Sequence, residues 1–145
     1  MFTENFKTFA YEGDTISCDV GKFHVVATIY WDDNQVKPDE CDDGFWPSRD
    51  PKAAGYVNPD KFDAEMKRAE QVMAAWKNDE WFFCGVAVQV FCNDIALTGK
   101  YHHALWGIEC NYPDSDNSYL QVVANEFLDE ALDDAKTKIA SLCEQ

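Results

Sequence analysis

Positive charge is what this chain has least of. Its 145 residues include 12 Lys and Arg against 27 Asp and Glu, a formal net charge of −15. A protein that holds DNA or RNA directly needs a cationic stripe, because contacts to phosphate supply most of its non-specific affinity. Direct nucleic-acid binding is therefore not expected. No run of 18 apolar residues occurs, so no membrane-spanning helix is expected either. The opening Met1-Phe2-Thr3-Glu4-Asn5-Phe6 has neither the basic nor the apolar region of a secretory signal. Six cysteines, at 18, 41, 84, 92, 110 and 143, form no C-x-x-C pair. Together these absences predict a cytoplasmic protein with free thiols, Cys41 and Cys143 being the exposed ones. No Walker loop, glycine-rich elbow or H-E-x-x-H is present. No catalytic residue is assigned, and the chain is read as non-enzymatic.

Aromatic and apolar residues are plentiful by contrast. Hydrophobic types make up 46% and aromatics 14% of the chain, with five Trp, six Tyr and ten Phe. Acidic disordered tails are poor in such residues, because they cannot bury enough apolar area to offset chain entropy. A chain of this length fits one domain, here 1–145, that can bury roughly 70% of its unfolded surface. An aromatic core under an acidic coat is the expectation. The coat is uneven. Residues 32–43 hold six carboxylates and one base (Lys37), a net of −5, and residues 109–134 hold eight carboxylates and no base, a net of −8. Those two stretches account for 13 of the 15 surplus charges.

Alternation of Ile16, Cys18 and Val20, then Phe23, Val25, Ala27, Ile29 and Trp31, predicts a hairpin turning around Gly21. A long acidic connection follows over 32–58, rich in proline. Asn58-Pro59-Asp60 is a helix start, and Phe62, Met66, Ala69, Met73 and Trp76 form one apolar stripe along a helix over 60–78. A second hairpin is expected from the strand 81–92 through a positive-φ turn at Asn93-Asp94. Its return strand reaches Glu109 with a bulge near Gly99 and puts Ala104, Trp106 and Ile108 on one face. Ser118-x-x-Gln121 reads as a capping box opening a last helix that ends near Leu142. The β-β-α-β-β-α order predicts an α+β domain, an antiparallel sheet of about four strands with helices packed on it.

Two metal readings fail at this level. Asp114-x-Asp116-x-Ser118 mimics the start of a calcium loop, but Tyr119 stands where glycine is required and Asn125 where a bidentate Glu is required. His102 and His103 are adjacent, and adjacent residues of a regular strand point to opposite faces. No metal or cofactor is therefore expected. The carboxylates remain. Glu126, Glu130 and Asp134 recur every four residues, a step of about 6 Å along a helix, similar in scale to the spacing of phosphates along DNA. Glu126, Asp129, Glu130, Asp133 and Asp134, with Asp32, Asp33, Asp39, Glu40, Asp42 and Asp43 of the loop, are the expected partner-binding residues. An alternative is recognition through exposed aromatics such as Tyr30, Phe45 or Trp46, with the acidity serving solubility alone. A third is a small cytoplasmic enzyme, which would need a concave site with a strongly perturbed titratable group.

Several short segments carry a likeness: Tyr11-Glu12-Gly13-Asp14, Trp31-Asp32-Asp33, Asp79-Glu80-Trp81-Phe82-Phe83-Cys84-Gly85-Val86, Leu105-Trp106-Gly107-Ile108-Glu109 and Ser118-Tyr119-Leu120. With them the chain resembles small, mostly uncharacterised acidic proteins of bacteriophages and other bacterial mobile elements. That class includes inhibitors of host restriction and CRISPR systems that present DNA-like charge. The resemblance implies an anti-restriction or anti-CRISPR inhibitor. Its partner would be a basic nucleic-acid-binding protein or ribonucleoprotein complex of the bacterial host.

Overall fold

The computed structural model describes residues 1–143. Five strands make one antiparallel sheet: β1 (Thr15–Val20), β2 (Phe23–Trp31), β3 (Phe82–Cys92), β4 (Ile95–Ala96) and β5 (Ala104–Cys110). The helices are α1 (Pro38–Cys41), α2 (Phe62–Lys77) and α3 (Ser118–Cys143). β3 lies at the centre, with β2 on one side and β4 and β5 sharing the other. The α+β class is as expected. The chain order adds a one-turn helix in the acidic loop and a split return strand. Among the described residues no helix is long and apolar enough to cross a membrane.

One face of the sheet builds the core. Val25, Ala27 and Ile29 of β2 stand opposite Val90, Val88 and Val86 of β3, all of them solvent-inaccessible. Paired residues of adjacent strands share a face, so this valine-rich surface is continuous. α3 covers it with Leu120, Val123, Ala124, Leu128, Ala131, Leu132 and Ala135. The N-terminal segment adds Phe2, Phe6 and Ala10. α2 belongs to the other face. Its buried residues are Ala69, Val72 and Met73, while Phe62, Met66 and Trp76 of the expected stripe are only half-buried. The Trp81 indole N–H donates to the Val72 carbonyl (2.9 Å), and the ring packs edge-on against Phe83 and Tyr112. Phe83 alternates with core residues Phe82 and Cys84, so α2 and α3 lie on opposite sides of the sheet.

Both tight turns follow from local chemistry. Gly21 has φ +59°, and Asn93 and Asp94 have φ +51° and +65°, the left-handed pair that a two-residue hairpin turn requires. The return strand departs from expectation. It breaks over residues 97–103, and its register shift lies between Cys84 and Val86, opposite Gly107 (φ +75°), not at Gly99. A β-carbon at Gly85 would overlap the Trp106 indole, so Gly85 is the seat for that ring. The bulge separates residues expected on one face: Ile108 turns into the core, while Trp106 lies outside and is 40% exposed.

The expected capping box does not form. Gln121 donates its side-chain amide to the Phe2 carbonyl (3.0 Å), and Asp116 Oδ1 accepts the Ser118 N–H (2.9 Å). Those donations from Ser118 hold the Asp116 carboxyl below its usual range. Beside this start lies an amide pair, Asn117 buried and Asn111 half-buried. Asn117 donates to the carbonyls of Lys7 and Thr8 and to Asn111 Oδ1, and Asn111 in turn joins both backbone groups of Ala10. Chain entry, β5 and α3 are tied together at this one point.

Candidate functional site

The expected partner-binding carboxylates do not share one environment. On α3, Glu126, Asp129, Glu130 and Asp133 are exposed. Spacings of 3, 1 and 3 residues place them within about 100° of the helix surface, directly away from the buried Leu128, Ala131 and Ala135. Asp134 sits on the flank. Its Oδ2 lies 2.9 Å from His103 Nε2 and 3.5 Å from Lys138 Nζ. The hydrogen bond from His103, with help from Lys138, holds its carboxyl below the usual aspartate range. Asp134 therefore belongs to an internal contact more than to the outer row.

In the loop, Asp33, Glu40, Asp42 and Asp43 are exposed. Asp32, expected at the partner surface, is instead buried. It is 6% exposed and accepts hydrogen bonds from the Gly107 N–H (2.9 Å), the Asn34 N–H (3.1 Å) and the Gln35 amide (3.2 Å). The bulge at Gly107 turns a backbone N–H out of the ladder, and Asp32 supplies its acceptor. Asp39 is half-buried and accepts the Trp46 indole N–H (3.3 Å). The loop lies along α2, where Asp42, Phe45 and Val57 border a hollow with Arg68, Val72 and Tyr112. Its acids lie along α2, whereas the α3 row stands on the outer face of the helix that covers the core.

A groove of about 410 Å³ runs between β5 and the start of α3, lined by Leu105, Trp106, Glu109, Tyr112, Ser115 and Tyr119. Tyr119 and Val122 are exposed and fall on the same α3 face as the carboxylate row. The apolar groove thus leads directly into the charged surface. Beyond Trp106, its ring and those of Tyr30 and Tyr101 cluster with centroids 5.1–6.4 Å apart, and the Lys100 ammonium lies 5.3 Å from both tyrosine rings. Tyr30, expected as an exposed aromatic, is half-buried. Only the bulge brings Trp106 beside it.

Burial pushes the carboxyl of Glu109 up, and burial with the nearby Glu109 charge pushes the Tyr112 hydroxyl up. Glu109 remains reachable by solvent at the groove, so the effect is modest. A carboxyl whose folded pKa exceeds its unfolded value contributes stability below the ordinary glutamate range, lost as pH rises through the raised value. Glu109→Gln is expected to raise Tm at pH 7 by on the order of 1 °C and to flatten this decline. A lower Tm at neutral pH, by calorimetry, would contradict the assignment.

All six cysteines are free thiols. Cys84 and Cys110 are buried side by side. Their mutual hydrogen bond, then burial, drives the Cys84 thiol far above its ordinary pKa, which makes it a poor nucleophile. No protein-family model, no curated protein and no solved structure matches the chain. Function is therefore read from the chain's own chemistry.

Proposed function

We propose that the protein is a non-enzymatic inhibitor that occupies a basic nucleic-acid-binding surface of a bacterial host protein or ribonucleoprotein complex. It would do so by charge mimicry through the outer face of α3. The observation that carries this reading is the exposed row Glu126, Asp129, Glu130 and Asp133 on one rigid helix. No Lys or Arg occurs from Glu109 to Asp134. Like charges at i, i+4 each cost a helix a few tenths of a kcal/mol, and an ordinary surface helix interleaves lysines to avoid this. The row steps about 6 Å per four residues on a helix held by seven buried side chains, so its charges are preorganised. Tyr119 and Val122 at the head of the same face supply apolar contact beside the charge. The acids of the loop lie along α2 and add to the long-range field that steers association. The anti-restriction or anti-CRISPR setting rests on the sequence resemblance alone.

The test uses the intact protein as bait in bacterial host lysate, with bound proteins identified by mass spectrometry. Asp129→Lys with Asp133→Lys is expected to weaken capture about tenfold while the circular dichroism spectrum is unchanged. Capture should also fall at about 0.5 M NaCl, where the Debye length is roughly 4 Å. A folded double variant that captures the same partner undiminished would reject the reading. A second reading has its own support in the cluster of exposed Tyr101 and Trp106 with half-buried Tyr30, a surface suited to an aromatic-driven protein contact. Capture indifferent to salt but lost in Trp106→Ala would favour it.

A further inference from the structure

We propose that His102, His103 and Asp134 form a binding site for a divalent transition-metal ion of the zinc class, where the 97–103 turn meets α3. Two imidazoles and a carboxylate, with a water in the remaining position, are a ligand set that such ions take. One potential ligand atom from each of these residues lies within 4.8 Å of the others. The usual objection to neighbouring histidines assumes a strand, in which successive side chains diverge. Here the residues end a turn. The His102 N–H donates to the Gly99 carbonyl, the Val88 N–H donates to the His103 carbonyl, and β5 begins only at Ala104. The two rings lie 4.7 Å apart, nearly perpendicular, on the same side of the chain.

The surroundings suit an ion. His103 is 4% exposed, so its ring is held in place by the protein. Its Nε2 is 2.9 Å from Asp134 Oδ2, and an ion between them needs ligand atoms about 3.3 Å apart, given bonds of about 2.0–2.1 Å in tetrahedral geometry. A few tenths of an ångström of opening, with loss of the shared proton, would admit it. The other ring nitrogen, Nδ1, is buried without a hydrogen-bond partner, and its neighbour is Glu130 Oε2 at 3.6 Å. With the ion on Nε2, the proton of the neutral ring resides on Nδ1 and faces Glu130. That is how carboxylates orient metal-bound imidazoles. Lys138 competes for Asp134 from 3.5 Å, but its half-exposed ammonium can turn to solvent. Binding would clamp the turn that interrupts the return strand onto α3. It would also spend Asp134 and Glu130 internally, leaving Glu126, Asp129 and Asp133 as the outward charges.

Zinc and cobalt(II) chlorides serve as probes on the full-length protein. At about a hundredfold excess of free zinc over its Kd, Tm should rise by about 5–10 °C. Cobalt(II) should give visible d–d bands of nitrogen and oxygen ligation, without the ultraviolet thiolate-to-cobalt band that binding at the exposed Cys41 or Cys143 would produce. His102→Ala removes a ligand whose side chain is exposed and makes no hydrogen bond among the described residues, so the fold should survive. In that variant metal affinity should drop at least tenfold, and Asp134→Asn should act likewise. An unchanged Tm with zinc, a thiolate band in place of d–d bands, or an equal metal response in folded His102→Ala would overturn the proposal. The host-lysate capture is separate: loss of metal binding leaves it standing, and its failure leaves the metal site standing.

Discussion

Trp81→Ala is expected to destabilise the protein by about 3–5 kcal/mol, the range for truncating a buried large aromatic. The ring is 1% exposed and fills the junction between α2 and the sheet. Its edge-on contacts to Phe83 (5.3 Å) and Tyr112 (5.0 Å) vanish with it, as does the hydrogen bond to the Val72 carbonyl. Because the acidic loop rests on α2, the loss should spread to residues 42–57 and not remain local. Urea denaturation measures this as a lower midpoint. A loss under about 1 kcal/mol would mean that α2 is held by something other than Trp81. Trp81→Phe should recover most of the packing and leave only the absent indole donor, about 1 kcal/mol.

Asn117→Ala is expected to have an effect of similar size, about 3–5 kcal/mol. Asn117 is 2% exposed; the two hydrogens of its side-chain amide are shared among three acceptors, and its Oδ1 accepts from the Asn111 N–H (2.8 Å). Truncation leaves the Asn111 N–H without its acceptor and removes the donor from the Lys7 and Thr8 carbonyls. Each buried group so orphaned costs about 1–3 kcal/mol, less where water can enter. Its backbone, at φ +64°, adds about 1 kcal/mol of strain for alanine that asparagine tolerates better. Asn117→Gly separates the two contributions, since glycine adopts that φ freely but supplies no amide. It should be less destabilised than Asn117→Ala by about 1 kcal/mol. Equal stability of the two variants would show that the backbone conformation contributes nothing. Hydrogen exchange should also report early opening of residues 7–10, which the pair holds.

Much of the fold was legible because it rests on local periodicity. The Phe23–Trp31 alternation, the two turns at Gly21 and Asn93-Asp94, the helix start at Asn58 and the apolar sector of α3 each follow from rules that act over a few residues. What escaped was set by contacts distant in sequence. Gly85 and Gly107 stand 22 positions apart, and only the meeting of β3 with β5 around them explains why the register shifts there and why Trp106 turns outward. Ser118 and Gln121 carry the letters of a capping box, yet the Phe2 carbonyl, 119 residues from Gln121, draws the glutamine away. His102 and His103 were assigned divergent directions on the assumption of a strand, and a turn sets them side by side.

The candidate site divides in the same way. Composition and spacing alone placed the surplus negative charge on two segments and aligned Glu126, Asp129, Glu130 and Asp133 on one helix face, because helix geometry is a local property. Which carboxylates reach solvent was decided by the tertiary structure. Asp32 turned inward because the bulged Gly107 N–H needed an acceptor, and Asp134 met His103 because α3 crosses the end of the 97–103 turn. Charge is written residue by residue, whereas the partner of each charge depends on how β3 brings both halves of the chain together.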